Sequence, residues 1–168
     1  QLGAIIFNAE KIDTHGGSLR IYVKKNKKIK INSVVKKLLN EEEKLGLNKY
    51  ETYKNFAKKV YKIRERVVNK ITHLKSEKNK IIGYGSPAKA TTALNFFRIS
   101  DEIDCIIEDN KNKQGKFLPG MKIPIISKKS LKEKPDYVLV LAWNFFDEIK
   151  KKNNDLASKF ISIKDLEI

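Results

Sequence analysis

One cysteine, Cys105, stands in 168 residues. An intrachain disulfide and a thiolate metal cluster are therefore excluded. Ile103, Ile106 and Ile107 surround it in the sequence, so a buried structural thiol is expected. Long hydrophobic runs are missing too. No stretch approaches the roughly 20 apolar residues of a membrane span, and no secretory leader is legible. A cytoplasmic protein is the expectation. Arginine is scarce: Arg20, Arg64, Arg66 and Arg98 stand alone among 36 basic residues. That scarcity weakens a nucleic-acid reading, because base and phosphate recognition leans on the guanidinium fork.

Against 20 acidic residues, those bases leave a formal net charge of +16. A nucleic-acid-binding or scaffolding module is the sharp reading of that charge. The plainer reading is a compositional bias toward Lys, Asn and Ile. The lysines fall on nearly every solvated face and not on one stripe, which favours the plainer reading. A diffuse positive field still draws an anionic small substrate. The length suits about one domain with an appendage, long enough to bury a core without metals or disulfides.

Ala4–Phe7 and Leu19–Val23 read as two short strands, a possible antiparallel pair. Lys24–Lys30 is a solvated charge run. Asn32–Lys44 carries Val34, Val35, Leu38 and Leu39 at helical spacing, and Gly46 ends that helix. Residues 50–78 predict one long helix with a stripe of Tyr53, Phe56, Ala57, Val60, Ile63, Val67, Ile71 and Leu74. His73 falls near its C-terminal end, where a cation is favoured.

From Lys80 the pattern alternates between strand and helix. Strands are expected at 80–84, 105–108, 123–126, 137–141 and 160–162. Helices are expected at 87–97, 127–134 (with Ser127 as cap) and 144–152. This order predicts an α/β fold, Rossmann-like, with a mostly parallel sheet and right-handed crossovers. The chain opens on Gln1 with a strand already under way, so it is expected to be a piece of a longer protein.

Gly83-Tyr84-Gly85-Ser86-Pro87-Ala88 fits G-x-G-x-x-A between a strand and a helix. Gly83 permits a tight turn, Gly85 lets the backbone approach a diphosphate, and the helix N-terminus favours negative charge. Ser86, Lys89, Thr91 and Thr92 add hydroxyls and a cation. Asp109 ends the next strand, where such folds hold a ribose hydroxyl. The competing reading is a turn that needs glycine for sterics alone. The pattern does not choose the nucleotide: NAD(P), with an oxidoreductase activity, is as compatible as a nucleotide sugar.

Thr14-His15-Gly16-Gly17-Ser18 presents an imidazole beside exposed backbone. Its ordinary pKa of about 6.5 suits proton removal at neutral pH. On spacing alone an ordinary loop histidine is the favoured reading.

Several segments occur together in a recognisable order. They are His15–Arg20, Gly83–Lys89, Asp109-Asn110 with Lys113-Gln114-Gly115, Leu118-Pro119-Gly120 with Ile123-Pro124, and Pro135–Tyr137 through Ala142-Trp143-Asn144. With them the chain resembles the C-terminal part of the sugar C-methyltransferases of branched deoxysugar biosynthesis, over nearly its whole length. The resemblance implies a three-part enzyme: an N-terminal unit that can hold zinc, a central domain holding S-adenosylmethionine, and a C-terminal Rossmann-like domain. A nucleotide-diphosphate keto-deoxysugar would sit between the last two.

Residues 1–49 would be the closing strands of the central domain and a connector. Residues 50–168 would be the long helix and the nucleotide-sugar-binding domain. His15 aligns with the family's base. The substrate-binding set implied is Gly83, Tyr84, Gly85, Ser86, Pro87, Lys89, Thr91, Asp109, Asn110, Trp143 and Asn144. No metal or cofactor is expected on this chain, which alone should not turn over. Thr14 stands where the family often has an acidic residue, and Ser86 where alanine is commoner.

Overall fold

The computed structural model describes residues 3–14, 17–25, 28–157 and 159–166. They form two compact units, residues 1–58 and 59–168. No helix among the described residues is long and apolar enough to cross a membrane.

In the first unit, β1 (Ile5–Ile12) and β2 (Ser18–Lys24) pair antiparallel, with a register shift between Ile6 and Asn8. The ribbon continues well past the apolar Ala4–Phe7 run, because cross-strand pairs such as Glu10 with Arg20 and Tyr22 hold its polar half. Helix α1 (Ser33–Lys44) starts where Asn32 accepts the Val34 N–H at 3.0 Å, satisfying one of the donors a helix start leaves open. It is tied to β1 by the Asn32 N–H on the Phe7 carbonyl (2.8 Å) and by Lys11 on Glu41 (3.1 Å). Gly46 follows with φ +67, a left-handed residue just past the helix end. Helix α2 (Tyr50–Ser76) begins in this unit and ends in the second.

The second unit is a Rossmann-like α/β fold. Strands β3 (Ile81–Tyr84), β4 (Ile106–Ile107), β5 (Ile125–Ile126), β6 (Tyr137–Val140) and β7 (Lys159–Ser162) form one parallel sheet in the order β5-β4-β3-β6-β7. The period-2 alternation decides what lies on each face. Ile81, Ile106 and Leu139 pack with Val67 and Ile71 of α2 and with Ala90, Leu94 and Phe97 of α3 (Ala88–Phe97). Ile82, Ile107 and Val138 pack on the other face with Leu156, Ala157 and the partly buried Phe146 and Ile149 of α4 (Phe146–Lys152). Each such fully buried aliphatic contributes roughly 1.5–3 kcal/mol. Cys105 is buried, and burial raises its thiol above the ordinary 9.0, in keeping with an inert core residue.

One local expectation is corrected. Ser127–Lys134 is not a helix: only Lys128–Ser130 turns, as a 3-10 turn. The Ser127 hydroxyl takes the Ser130 N–H at 3.2 Å and closes the turn there, and Leu131 returns to extended backbone. Between Ile107 and Ile125 the described chain has no helix, so that crossover is a loop, in keeping with the polar 110–120 segment and its Gly115, Pro119 and Gly120. Along the α2 stripe Val67 and Ile71 are buried in the core, Ile63 and Leu74 pack against it partly buried, and Tyr53 and Phe56 are exposed. A short helix, α5 (Ile163–Leu166), follows β7 and buries Ile163 and Leu166.

Candidate functional site

From β3 the chain moves outward to β4 and β5, then returns to add β6 and β7 on the other side. The strand order therefore reverses between β3 and β6, and the crevice beyond their C-terminal ends is where such sheets take ligands. Two segments meet there, the loop after β3 and the turn after β6.

The two glycines of the first loop do different work. Gly83 is a strand residue, not a turn residue as its place in the motif suggested. A Cβ there would come within 2.9 Å of both Ile106 and Leu141, so even a methyl group would have to push these side chains aside. Gly85 makes the turn, at φ +83, and its missing Cβ leaves room for Ala142, which a Cβ would approach to 2.9 Å. Pro87 is the N-cap of α3, in extended backbone and without a side-chain cap bond. By helix geometry the N–H groups of Ala88 and Lys89 lack intrahelical acceptors. Lys89 reaches across the crevice and sits 4.3 Å from the centre of the Trp143 ring. Asn144 is exposed beside it.

The donors of Ser86 are already engaged. Its N–H (2.9 Å) and its hydroxyl (2.6 Å) both donate to Glu108 Oε2. The other oxygen of Glu108 accepts the Asn110 N–H at 3.0 Å. Lys113 lies 3.6 Å from the carboxylate and donates to the Ser86 carbonyl at 2.9 Å. Burial pushes the Glu108 carboxyl up. The bonds from the Ser86 hydroxyl and the Asn110 and Ser86 N–H groups, with the Lys113 charge, outweigh that and hold it below the ordinary 4.5.

Asp109 turns the opposite way. It accepts the Tyr84 hydroxyl at 3.0 Å and Lys152 at 3.1 Å. Asn153, itself buried, donates to the Tyr84 oxygen at 3.2 Å. Burial and the Asp109 carboxylate push the Tyr84 pKa to about 12.

Two cavities flank the loop. One, of about 560 Å³, lies between the start of α3 and the 113–119 segment, with Thr91 and Lys113 on its wall. The other, of about 240 Å³, lies between the ends of β3, β4 and β6, with Glu108, Asp109, Glu148 and Lys152 on its wall. Among the described residues no group of three or more His, Cys, Asp or Glu side chains could hold a metal ion.

Residues 13–162 match the C-methyltransferase C-terminal domain family. The chain belongs to this family. It is also 30% identical over 150 residues to the C-methyltransferase NovU of Streptomyces niveus, a match covering 88% of this chain and 36% of that relative. The chain thus spans little more than a third of the relative's length. The segment shared with the family runs from the His15 loop through both sides of the crevice.

Of the residues singled out from sequence, the fold brings Gly85, Ser86, Lys89 and Trp143 together at the crevice, with Tyr84 and Asp109 beneath them. Asn110 instead stabilises the turn after β4, its side chain accepting the Asn112 N–H at 3.0 Å. Thr91 lines the larger cavity, away from the Trp143 side. His15 lies outside the described residues. Sequence reading missed Glu108, and also Lys152 and Asn153. Glu108 was within reach, one residue before the acid that was named.

Proposed function

We propose that the chain is the nucleotide-sugar-binding part of an S-adenosylmethionine-dependent C-methyltransferase acting on a nucleotide-diphosphate keto-deoxysugar. One observation carries the reading: in a member of this family, a glycine-rich loop opens α3 at the reversal point of a parallel sheet. Such a helix start favours an anion. Since Glu108 holds the Ser86 donors, the diphosphate falls to the N–H groups of Ala88 and Lys89 and to the lysine side chains nearby. Lys89 and Trp143 then face the sugar end.

His15 acts as the base. A ketone acidifies the neighbouring C–H, His15 takes that proton, and an enolate remains. Positioning and exclusion of water lower the barrier to that transfer. The methyl donor supplies an electrophilic carbon. This reading leaves donor binding to other parts of a longer enzyme, in keeping with a match that covers 36% of the NovU relative.

Calorimetry on the full-length protein tests the reading, with a thymidine-diphosphate sugar set against NADH. Trp143 is the sole tryptophan of these 168 residues, and a Trp143→Phe control isolates its emission in the same titration. Binding of the nucleotide sugar with a change in emission is expected. Tight NADH binding with no response to nucleotide sugars removes the proposal in favour of an oxidoreductase.

A further inference from the structure

The 113–119 segment presents an aromatic ring in an unusual setting. Phe117 is 63% exposed, yet the backbone around it is pinned on both sides. Gly115 N–H donates to the Ile125 carbonyl (2.8 Å), Ile125 N–H to the Lys116 carbonyl (2.8 Å), and Leu118 N–H to the Ile123 carbonyl (3.0 Å). Phe117 itself bridges to Pro124. Leu118, its neighbour, is buried. A loop held this firmly has no need to leave a phenyl ring in water for the sake of its own fold.

The opposite wall is tied to the same segment. Asn95 on α3 donates to the Pro119 carbonyl (3.0 Å) and to the Thr91 carbonyl (2.8 Å). Gly120 makes that latch possible: a Cβ there would lie 2.3 Å from the Asn95 oxygen. The two walls of the 560 Å³ cavity are therefore fixed relative to each other. Its volume is in the range of small-molecule sites.

Charge separates this cavity from its neighbour. Lys113 and Lys116 line it and no acidic residue does. Lys116 has no ion pair among the described residues. The 240 Å³ cavity carries Glu108, Asp109 and Glu148 against Lys152 alone. An anionic group is attracted to the first and repelled by the second, while hydroxyl groups suit the carboxylates.

We infer that the cavity between α3 and the 113–119 segment takes the nucleoside end of a nucleoside diphosphate, with the base stacked on Phe117. This rests on the proposed function and deepens it. Lys116 and the start of α3 take the phosphates, Lys113 being held by the Ser86 carbonyl and Glu108. No Asn, Gln, Asp, Glu or Arg side chain lines the cavity to read a base edge. Recognition is then of the base's face, which every base offers, so stacking tolerates different bases. Selectivity for the substrate lies in its sugar.

The test titrates the full-length protein with thymidine diphosphate, uridine diphosphate and inorganic pyrophosphate, in wild type, Phe117→Ala and Phe117→Trp. Stacking on an aromatic side chain predicts a loss of about tenfold or more for both nucleoside diphosphates in Phe117→Ala. Pyrophosphate binding stays as in wild type. Phe117→Trp restores the nucleoside affinity, which a merely scaffolding role would not do. Unchanged nucleoside diphosphate affinity in Phe117→Ala overturns the inference and leaves the proposed function standing. So does an equal loss for pyrophosphate, or a Trp variant as weak as the Ala one. Absence of nucleoside diphosphate binding in wild type removes both.

Discussion

Ser86 and Glu108, 22 residues apart, are joined by two hydrogen bonds to one carboxylate oxygen, at 2.9 and 2.6 Å. The glycine-rich loop is thereby held from the end of β4. An anion approaching it meets a negative neighbour, and the free donors lie one step further along, at the start of α3.

That tie is open to test by pH. The folded protein keeps Glu108 charged below the ordinary 4.5, whereas the unfolded chain takes up its proton first. The tie's contribution is complete above pH 4.5 and is lost as pH falls through the lower folded value. Urea melts of wild type and Glu108→Gln should therefore converge on acidification. Replacement by Ala strands the Ser86 and Lys113 donors and should cost about 1–3 kcal/mol at pH 7. Parallel wild-type and Gln curves from pH 7 to pH 3 would remove the charge from the argument.

Gly83→Ala addresses packing alone. Its Cβ would press on Ile106 and Leu141 in the centre of the sheet, both fully buried. Overpacking of this kind costs roughly 1–3 kcal/mol. A chemical denaturation midpoint equal to wild type would show that the sheet yields at no cost.

Tyr84 makes a prediction at the alkaline end. Its folded pKa of about 12 stands above the ordinary 10.0. The unfolded chain releases that proton first, so the contribution is full below pH 10 and drains away between 10 and 12. Tyr84→Phe should lose about 0.5–1.5 kcal/mol at pH 7, the usual net worth of a hydrogen bond. It should also show a shallower alkaline decline than wild type. Titration of phenolate absorbance should show ionisation near pH 12 that Tyr84→Phe removes. A wild-type curve that matches Tyr84→Phe above about pH 11 would contradict the assignment.

For His15, the expectation is kinetic. In the full-length enzyme His15→Ala should lower kcat by about 10²–10⁴-fold, the range of general-base catalysis, with nucleotide-sugar affinity nearly unchanged. A variant that turns over as wild type takes His15 out of the chemistry. One that loses affinity and keeps kcat makes it a binding residue.

Much of the second unit was legible in the sequence. Ile81, Ile82, Val138, Leu139 and Val140 are apolar on both faces, a pattern stable only inside a covered parallel sheet. The entry to α3 was equally plain, since Gly85 and Pro87 mark a turn followed by a helix start. The Lys80–Tyr84 strand and the acid after β4 also stood where the motif required.

Other features depended on contacts between distant residues. The α2 stripe announced an apolar face, but periodicity does not say what covers it; Val67 and Ile71 meet the sheet while Phe56 stays in water. Adjacent acids after a strand leave on opposite sides of the pleat. Only the packing of α3 against one face and α4 against the other assigns Glu108 to the loop and Asp109 to Tyr84 and Lys152. The glycines divide in the same way. The sequence by itself determined that two glycines stood at the end of β3. The tertiary structure decided why: Gly83 yields its space to Ile106 and Leu141, and Gly85 supplies the positive φ that turns the chain toward α3.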